Sequence, residues 1–153
     1  MIAILISLVV FIAYLVYVYK NHGIMSSISD SYYVIKHKTW FLFWTWGSAF
    51  PLIILGETGL SFFAGGFLMF VGVASNIYVN DKMVWFVHVA GATGAIILGY
   101  AYLCIDLHLW WLAVISLIPL FYMWLTKMKN HTWWIEVLAY FTFIIGLLIK
   151  ELS

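Results

Sequence analysis

The chain has 153 residues, of which 66% are hydrophobic and only 8% are charged, and its net charge is +1. This composition excludes an ordinary water-soluble domain, because too few polar side chains are present to cover its surface, and it is typical of a protein surrounded by lipid. The low charge also excludes nucleic acid as a partner, since no basic stripe is present to neutralise phosphates. A single cysteine, Cys104, excludes an internal disulfide and a cysteine-based metal site.

Six apolar runs, taken in chain order, predict six membrane-spanning helices. A bilayer core about 30 Å thick requires roughly 20 apolar residues per helix. The first run has no basic residue before it and no small-residue cleavage pattern after it, so we expect a retained helix and not a signal peptide. The second run has an alternative start within 32–35. The runs cover residues 2–19, 40–56, 60–78, 83–105, 109–126 and 132–149.

The longest connection is the first, residues 20–39, whereas the others are a few residues long, and no soluble domain is inserted. Sequential helices should therefore be antiparallel neighbours. Continuous apolar runs, in contrast to alternating ones, favour helices over a barrel. The sequence thus predicts an all-α, polytopic integral membrane protein, a bundle of six transmembrane helices that forms a single transmembrane domain over residues 1–153.

The distribution of lysine predicts the orientation of the chain. Lysine is the only cationic residue besides histidine, since arginine is absent. All lysines except Lys150 lie in the first, third and fifth connections, and the positive-inside rule places these connections in the cytoplasm. We therefore expect a multi-pass protein of a bacterial inner membrane with both termini outside. The lysines of the predicted inner side are Lys20, Lys36, Lys38, Lys82, Lys127 and Lys129.

Two ionisable residues lie within apolar runs, His88 in the fourth and Glu136 in the sixth. An intramembrane ionisable group indicates a functional site by default, because its burial is costly without a partner. His88 lies about 9 Å past Lys82 and Glu136 about 10 Å past Lys129 along their helices. Since both helices start on the cytoplasmic side, we predict that His88 contacts Glu136. The face of His88 also carries a stripe of small residues that favours close helix packing, Gly91, Ala95 and Gly99.

Each of these residues also has a purely structural interpretation. His88 is explained by a packing hydrogen bond to a neighbouring helix, and Glu136 by the preference of acids for the first helical turn. Other polar residues converge on the same half of the bilayer, although capping explains Ser29 and Asp30 equally well. Together they predict the polar mouth of a cavity that opens to the cytoplasm. Its predicted members are Ser29, Asp30, Asn76, Asn80, His88, His131 and Glu136.

Three short segments follow one another in an order known from a family. Residues 27–30 (Ser-Ile-Ser-Asp) open a helix after the long first loop, 70–72 (Phe-Val-Gly) precede a short polar gap, and 88–92 (His-Val-Ala-Gly-Ala) open the next helix. This order resembles the six-helix membrane proteins related to the damage-regulated autophagy modulators and their uncharacterised bacterial relatives. The resemblance implies six helices and a lipid-linked role, and it supplies no reaction.

We expect an integral membrane protein whose cavity binds a lipid, a small ligand or a partner helix, with no cofactor, no metal and no residue assignable as catalytic. One alternative is a metal-dependent lipid hydrolase embedded in the membrane. Asp30, His88 and Glu136 would be its ligands, although no HxxxH or HExxH pair is present. The other alternative is a pore or holin-like protein made by homo-oligomers, which requires a helix with a continuous polar stripe. The sequence leaves open whether the protein is an enzyme.

Overall fold

The structure, a computed structural model, describes residues 1–77 and 81–153, and it describes their side chains except at 74–77 and 81–84. This part of the chain is helical and contains no strand. Each predicted apolar run coincides with a helix there. The alternative start of the second run is a separate short helix, because Ile35 is extended. The elements are α1 (Ile2–His22), α2 (Ser31–Val34), α3 (Lys38–Leu55), α4 (Gly59–Ile77), α5 (Asp81–Ala101), a π-helical turn (Tyr102–Asp106), α6 (Trp110–Leu125) and α7 (His131–Leu152).

Length and surface composition both indicate association with a membrane. Within the described residues, three segments are long and apolar enough to cross a bilayer, Ile2–His22, Trp85–Asp106 and His131–Leu152. The apolar segments Gly59–Val73 and Trp110–Leu125 are shorter. Large apolar side chains cover the outside of the bundle, which a water-soluble protein rarely tolerates over a wide area. Val9, Phe43, Phe86 and Trp124 are each 66% or 67% exposed.

Contacts between distant segments define the two ends of the bundle. At one end, here called the terminal end, the amine of Met1 forms an ion pair of 2.9 Å with Glu151. Lys150 lies at the same end, where its ammonium group donates hydrogen bonds to the carbonyls of Leu55 and Gly56. The opposite end, here called the loop end, carries the connection between α1 and α3. Successive helices therefore alternate in direction between the two ends.

Glycines allow α5 to approach its neighbours closely. A Cβ atom on Gly91 would lie 3.0 Å from the side chain of Val71 in α4, and one on Gly99 would lie 2.5 Å from the ring of Phe143 in α7. Ala95, between these glycines, is buried. The predicted small-residue stripe therefore faces the interior, where it packs α5 against both α4 and α7.

Candidate functional site

The connection between α1 and α3 folds into the loop end of the bundle. This segment, residues 23–37, is called the cap segment. Its apolar residues Ile28 and Ile35 are buried, and so is Ser31 in α2. Ile28 stands among four serines in the sequence, so it is the apolar residue that anchors an otherwise polar turn. The cap segment consequently closes the loop end instead of extending as a solvated loop.

Glu136 of α7 holds the cap segment in place. Its carboxylate accepts a hydrogen bond of 2.5 Å from the backbone amide of Ile28 and a longer one, 3.4 Å, from that of Ser29. The other carboxylate oxygen accepts a hydrogen bond from the hydroxyl of Ser29. Three donors therefore satisfy one acid inside an apolar helix, which removes most of the cost of burying it.

Further hydrogen bonds attach the cap segment to α1 and to the start of α7. The hydroxyls of Tyr14 and Ser31 lie 2.5 Å apart, and the backbone amide of Trp133 donates to the carbonyl of Ser26 over 3.1 Å. The side-chain amide of Asn130 donates to the carbonyl of Ile24. Because these bonds involve two helices, the position of the cap segment depends on the relative position of α1 and α7.

The predicted contact between His88 and Glu136 is wrong. The described hydrogen bonds of Glu136 all go to the cap segment. His88 instead stacks against Phe41 of α3 with ring centroids 6.1 Å apart. Its Nε2 atom is buried and has no hydrogen-bond partner among the described residues. His88 is thus an inward-facing residue, as predicted, with a different neighbour.

A cavity of about 70 Å³ runs inside the bundle beneath the cap segment. Ser29 and Glu136 supply its polar end. Apolar side chains make up most of the remaining wall, and small residues of α5, Ala92 and Ala95, leave the space open. The other residues that line it come from α1, α3, α4, α5 and α7: Phe11, Trp44, Ser48, Leu52, Leu68, Val71, Ile96, Ala139, Tyr140, Phe143, Ile144 and Leu147.

Two buried polar atoms that belong to lining residues of the cavity lack a hydrogen-bond partner in the described structure. They are the indole Nε1 of Trp44 and the hydroxyl of Ser48. Both residues belong to α3 and are four positions apart, so they lie on the same helix face, one turn from each other. Buried polar groups in proteins are nearly always hydrogen-bonded, and an unpaired one requires an explanation. Sequence reasoning missed both residues, because a Trp and a Ser within an apolar run do not show which way they face.

The other members of the predicted polar mouth do not line the cavity. Asp30 accepts a hydrogen bond from Ser26 within the cap segment, and His131 is exposed at the first turn of α7. The side chain of Asn76 and all of Asn80 lie outside the described residues. In the described part of the chain, the predicted mouth therefore reduces to Glu136 and to Ser29 of the cap segment.

The three residues proposed as metal ligands of a lipid hydrolase, Asp30, His88 and Glu136, do not form a metal site in the described structure. Among the described side chains, no three of the types His, Cys, Asp and Glu lie close enough together to hold a metal ion. Glu136 is bonded to backbone and hydroxyl donors, and Asp30 to Ser26, and no hydrogen bond among the described residues joins either carboxylate to His88.

The fold and the site can be compared with known proteins. No protein-family model, no curated protein and no solved structure matches the chain.

Proposed function

We propose that this protein is an integral membrane protein that binds the hydrocarbon chain of a lipid or of a small amphipathic ligand in the cavity beneath the cap segment. The observation that carries this proposal is the cavity itself, an apolar interior space with a polar end formed by Ser29 and Glu136. Ligand sites in helical bundles have this composition, in which an apolar wall provides affinity and a few polar groups provide orientation.

The shape of the cavity favours a chain over a ring system. Its lining residues on α7 extend from Glu136 to Leu147, which corresponds to about 16 Å along the helix axis. Those on α3 extend from Trp44 to Leu52, about 12 Å. A volume of about 70 Å³ spread over this length makes a narrow space. Such a space admits a segment of an unbranched hydrocarbon chain in width, and it excludes a bulky headgroup.

A lipid bilayer around the protein would supply ligands with unbranched hydrocarbon chains. The proposal includes six membrane-spanning helices in a bacterial inner membrane, with the loop end in the cytoplasm and both termini outside, as the lysine distribution predicts. Lys150, the exception to that distribution, has a local structural role, because its charge is paired with Glu57 at 2.9 Å and its ammonium group caps α3. The resemblance to the family of the autophagy modulators, and its lipid-linked role, stays a prediction.

A filled-cavity variant tests the proposed function. Ala95→Leu places a larger side chain in the cavity, whereas Ala90→Leu adds the same atoms on the exposed face of α5. We expect native mass spectrometry to detect a co-purified lipid-sized ligand on the wild type and on Ala90→Leu, and to find it reduced on Ala95→Leu. Tritiated methyl palmitate should show the same order of binding to protein in detergent micelles.

Two outcomes would contradict the proposal. One is a wild-type protein that carries no ligand and binds no methyl palmitate. The other is equal binding by the wild type and Ala95→Leu, with Ala95→Leu folded as judged by its helical circular dichroism. The hydrolase and pore alternatives have no observation of the described residues in their favour.

A further inference from the structure

The unpaired donors of Trp44 and Ser48 indicate which functional group the ligand carries. We propose that the cavity selects a chain bearing an uncharged carbonyl group, such as a fatty acyl ester, whose oxygen accepts hydrogen bonds from the indole of Trp44 and the hydroxyl of Ser48. This inference rests on the proposed function, and it adds the chemistry of the ligand to it.

Both donors are built into the core. The side chains of Trp44 and Ser48 are 6% and 3% exposed, so neither reaches bulk solvent. Trp44 is fixed by a parallel stack on Tyr14, with ring centroids 4.9 Å apart and an angle of 6° between the planes. An indole N–H can only donate, so its partner must be an acceptor. A rigid donor that lines a cavity without a partner favours a ligand acceptor at that point.

The charge of the cavity wall excludes an anionic acceptor. In the described part of the chain, Glu136 is the one lining residue with a formal charge, and no lysine or histidine lines the cavity. A ligand carboxylate or phosphate would enter an apolar space without a cation, which costs far more than two hydrogen bonds return. An ester or ketone oxygen accepts the same bonds without that cost.

The position of the donors also matches a chain that extends past them. Trp44 is the first lining residue of α3 and Ser48 follows one turn later, while Leu52 lies one turn beyond Ser48 and Leu147 of α7 is also in the wall. A carbonyl bound at Trp44 and Ser48 would leave its hydrocarbon tail against these apolar side chains. A plain hydrocarbon would fill the same space but leave both donors unpaired.

Three probes of equal chain length test this inference, methyl palmitate, palmitate at alkaline pH and hexadecane, each tritiated and added to purified protein in micelles. We expect the wild type to bind methyl palmitate most tightly. Trp44→Phe and Ser48→Ala should each weaken methyl palmitate binding about fivefold, the effect of one net hydrogen bond. Neither change should alter hexadecane binding, which also shows that the variant is folded. Trp46→Phe, at an exposed position of α3, should change nothing.

The outcomes separate this inference from the proposed function. Equal affinity for methyl palmitate and hexadecane, unchanged in both variants, would mean that trapped water satisfies the donors. This result would overturn the inference, although the cavity would still bind hydrocarbon chains. If the protein binds palmitate more tightly than methyl palmitate, the claim that the ligand carries an uncharged acceptor is wrong. If no probe binds the wild type, the inference and the proposed function fail together.

Discussion

The backbone amide of Ile28 donates a hydrogen bond of 2.5 Å to the carboxylate of Glu136, which lies 108 residues further along the chain. This bond joins the cap segment to α7 at the polar end of the cavity. It gives Glu136 a defined structural role, and it places the only charged lining residue of the described cavity where the cap segment closes it. The position of the cap should therefore depend on the charge at residue 136.

Replacing Glu136 with Gln should loosen the cap segment. An amide keeps the shape of the side chain but loses the charge that strengthens these three hydrogen bonds. A hydrogen bond to a charged group contributes about 1.5–3 kcal/mol to stability. We expect faster tryptic cleavage after the exposed Lys36 in the variant. Glu151→Gln is the control, since it breaks an exposed ion pair of little energetic value. Equal cleavage rates in Glu136→Gln and the wild type would show that Glu136 does not hold the cap.

Tyr14→Phe should destabilise the protein through the same cap. The change removes the hydroxyl that lies 2.5 Å from that of Ser31 and leaves the ring stacked on Trp44. The loss should be about 1 kcal/mol of unfolding free energy, measured by thermal unfolding in detergent. Tyr17→Phe provides the comparison, because no described hydrogen bond involves the Tyr17 hydroxyl. If the two variants are equally stable, the Tyr14 hydroxyl does not contribute to anchoring the cap.

Alanine should have opposite effects at two helical glycines. A Cβ atom on Gly99 would lie 2.5 Å from the Phe143 ring, whereas one on Gly66 would have no neighbour within 4 Å. We expect Gly99→Ala to cost about 1–3 kcal/mol through overpacking. Gly66→Ala should be neutral or stabilising by up to about 1 kcal/mol, because alanine favours the helix. A Gly99→Ala variant as stable as the wild type would contradict the close packing of α5 on α7.

Lys150→Met should lower stability without changing the topology. The variant loses the hydrogen bonds to the carbonyls of Leu55 and Gly56, which we expect to cost about 1–2 kcal/mol. It also removes the one lysine on the predicted outer side, so the lysine asymmetry that sets orientation becomes stronger. Fusions to a reporter that is active only outside the inner membrane should report both termini outside in the variant and the wild type. Termini on opposite faces would refute the six-helix topology.

The sequence predicts the helices well and the site only in part. Apolar runs identify each long helix, because backbone groups in lipid must bond within their own segment. The π-helical turn at Tyr102–Asp106 leaves no sequence signal, since it inserts a wider turn into an otherwise ordinary apolar run. The sequence places Glu136 and Ser29 in one polar region, because a buried acid requires donors nearby, and in the structure the two side chains are hydrogen-bonded.

The prediction that paired His88 with Glu136 rested on helix depth alone, and it failed for that reason. Depth along two parallel helices does not show what lies between them, and here the cap segment supplies the donors for Glu136. The isolated Ile28 among serines was the available signal that this segment is buried. Trp44 and Ser48 were not predictable, because both the inner and the outer face of a helix in lipid are apolar.

Photolabelling with a diazirine-bearing palmitoyl methyl ester tests the central claim most directly, since it reports where the chain lies in the folded protein. We expect the cross-links to map to cavity residues of α3, α5 and α7, such as Ser48, Ala95 and Ile144, and to disappear with excess methyl palmitate. Labelling confined to exposed positions such as Phe43 and Phe86, and insensitive to that competitor, would show that the chain contacts only the outside of the bundle and would contradict a ligand site within it.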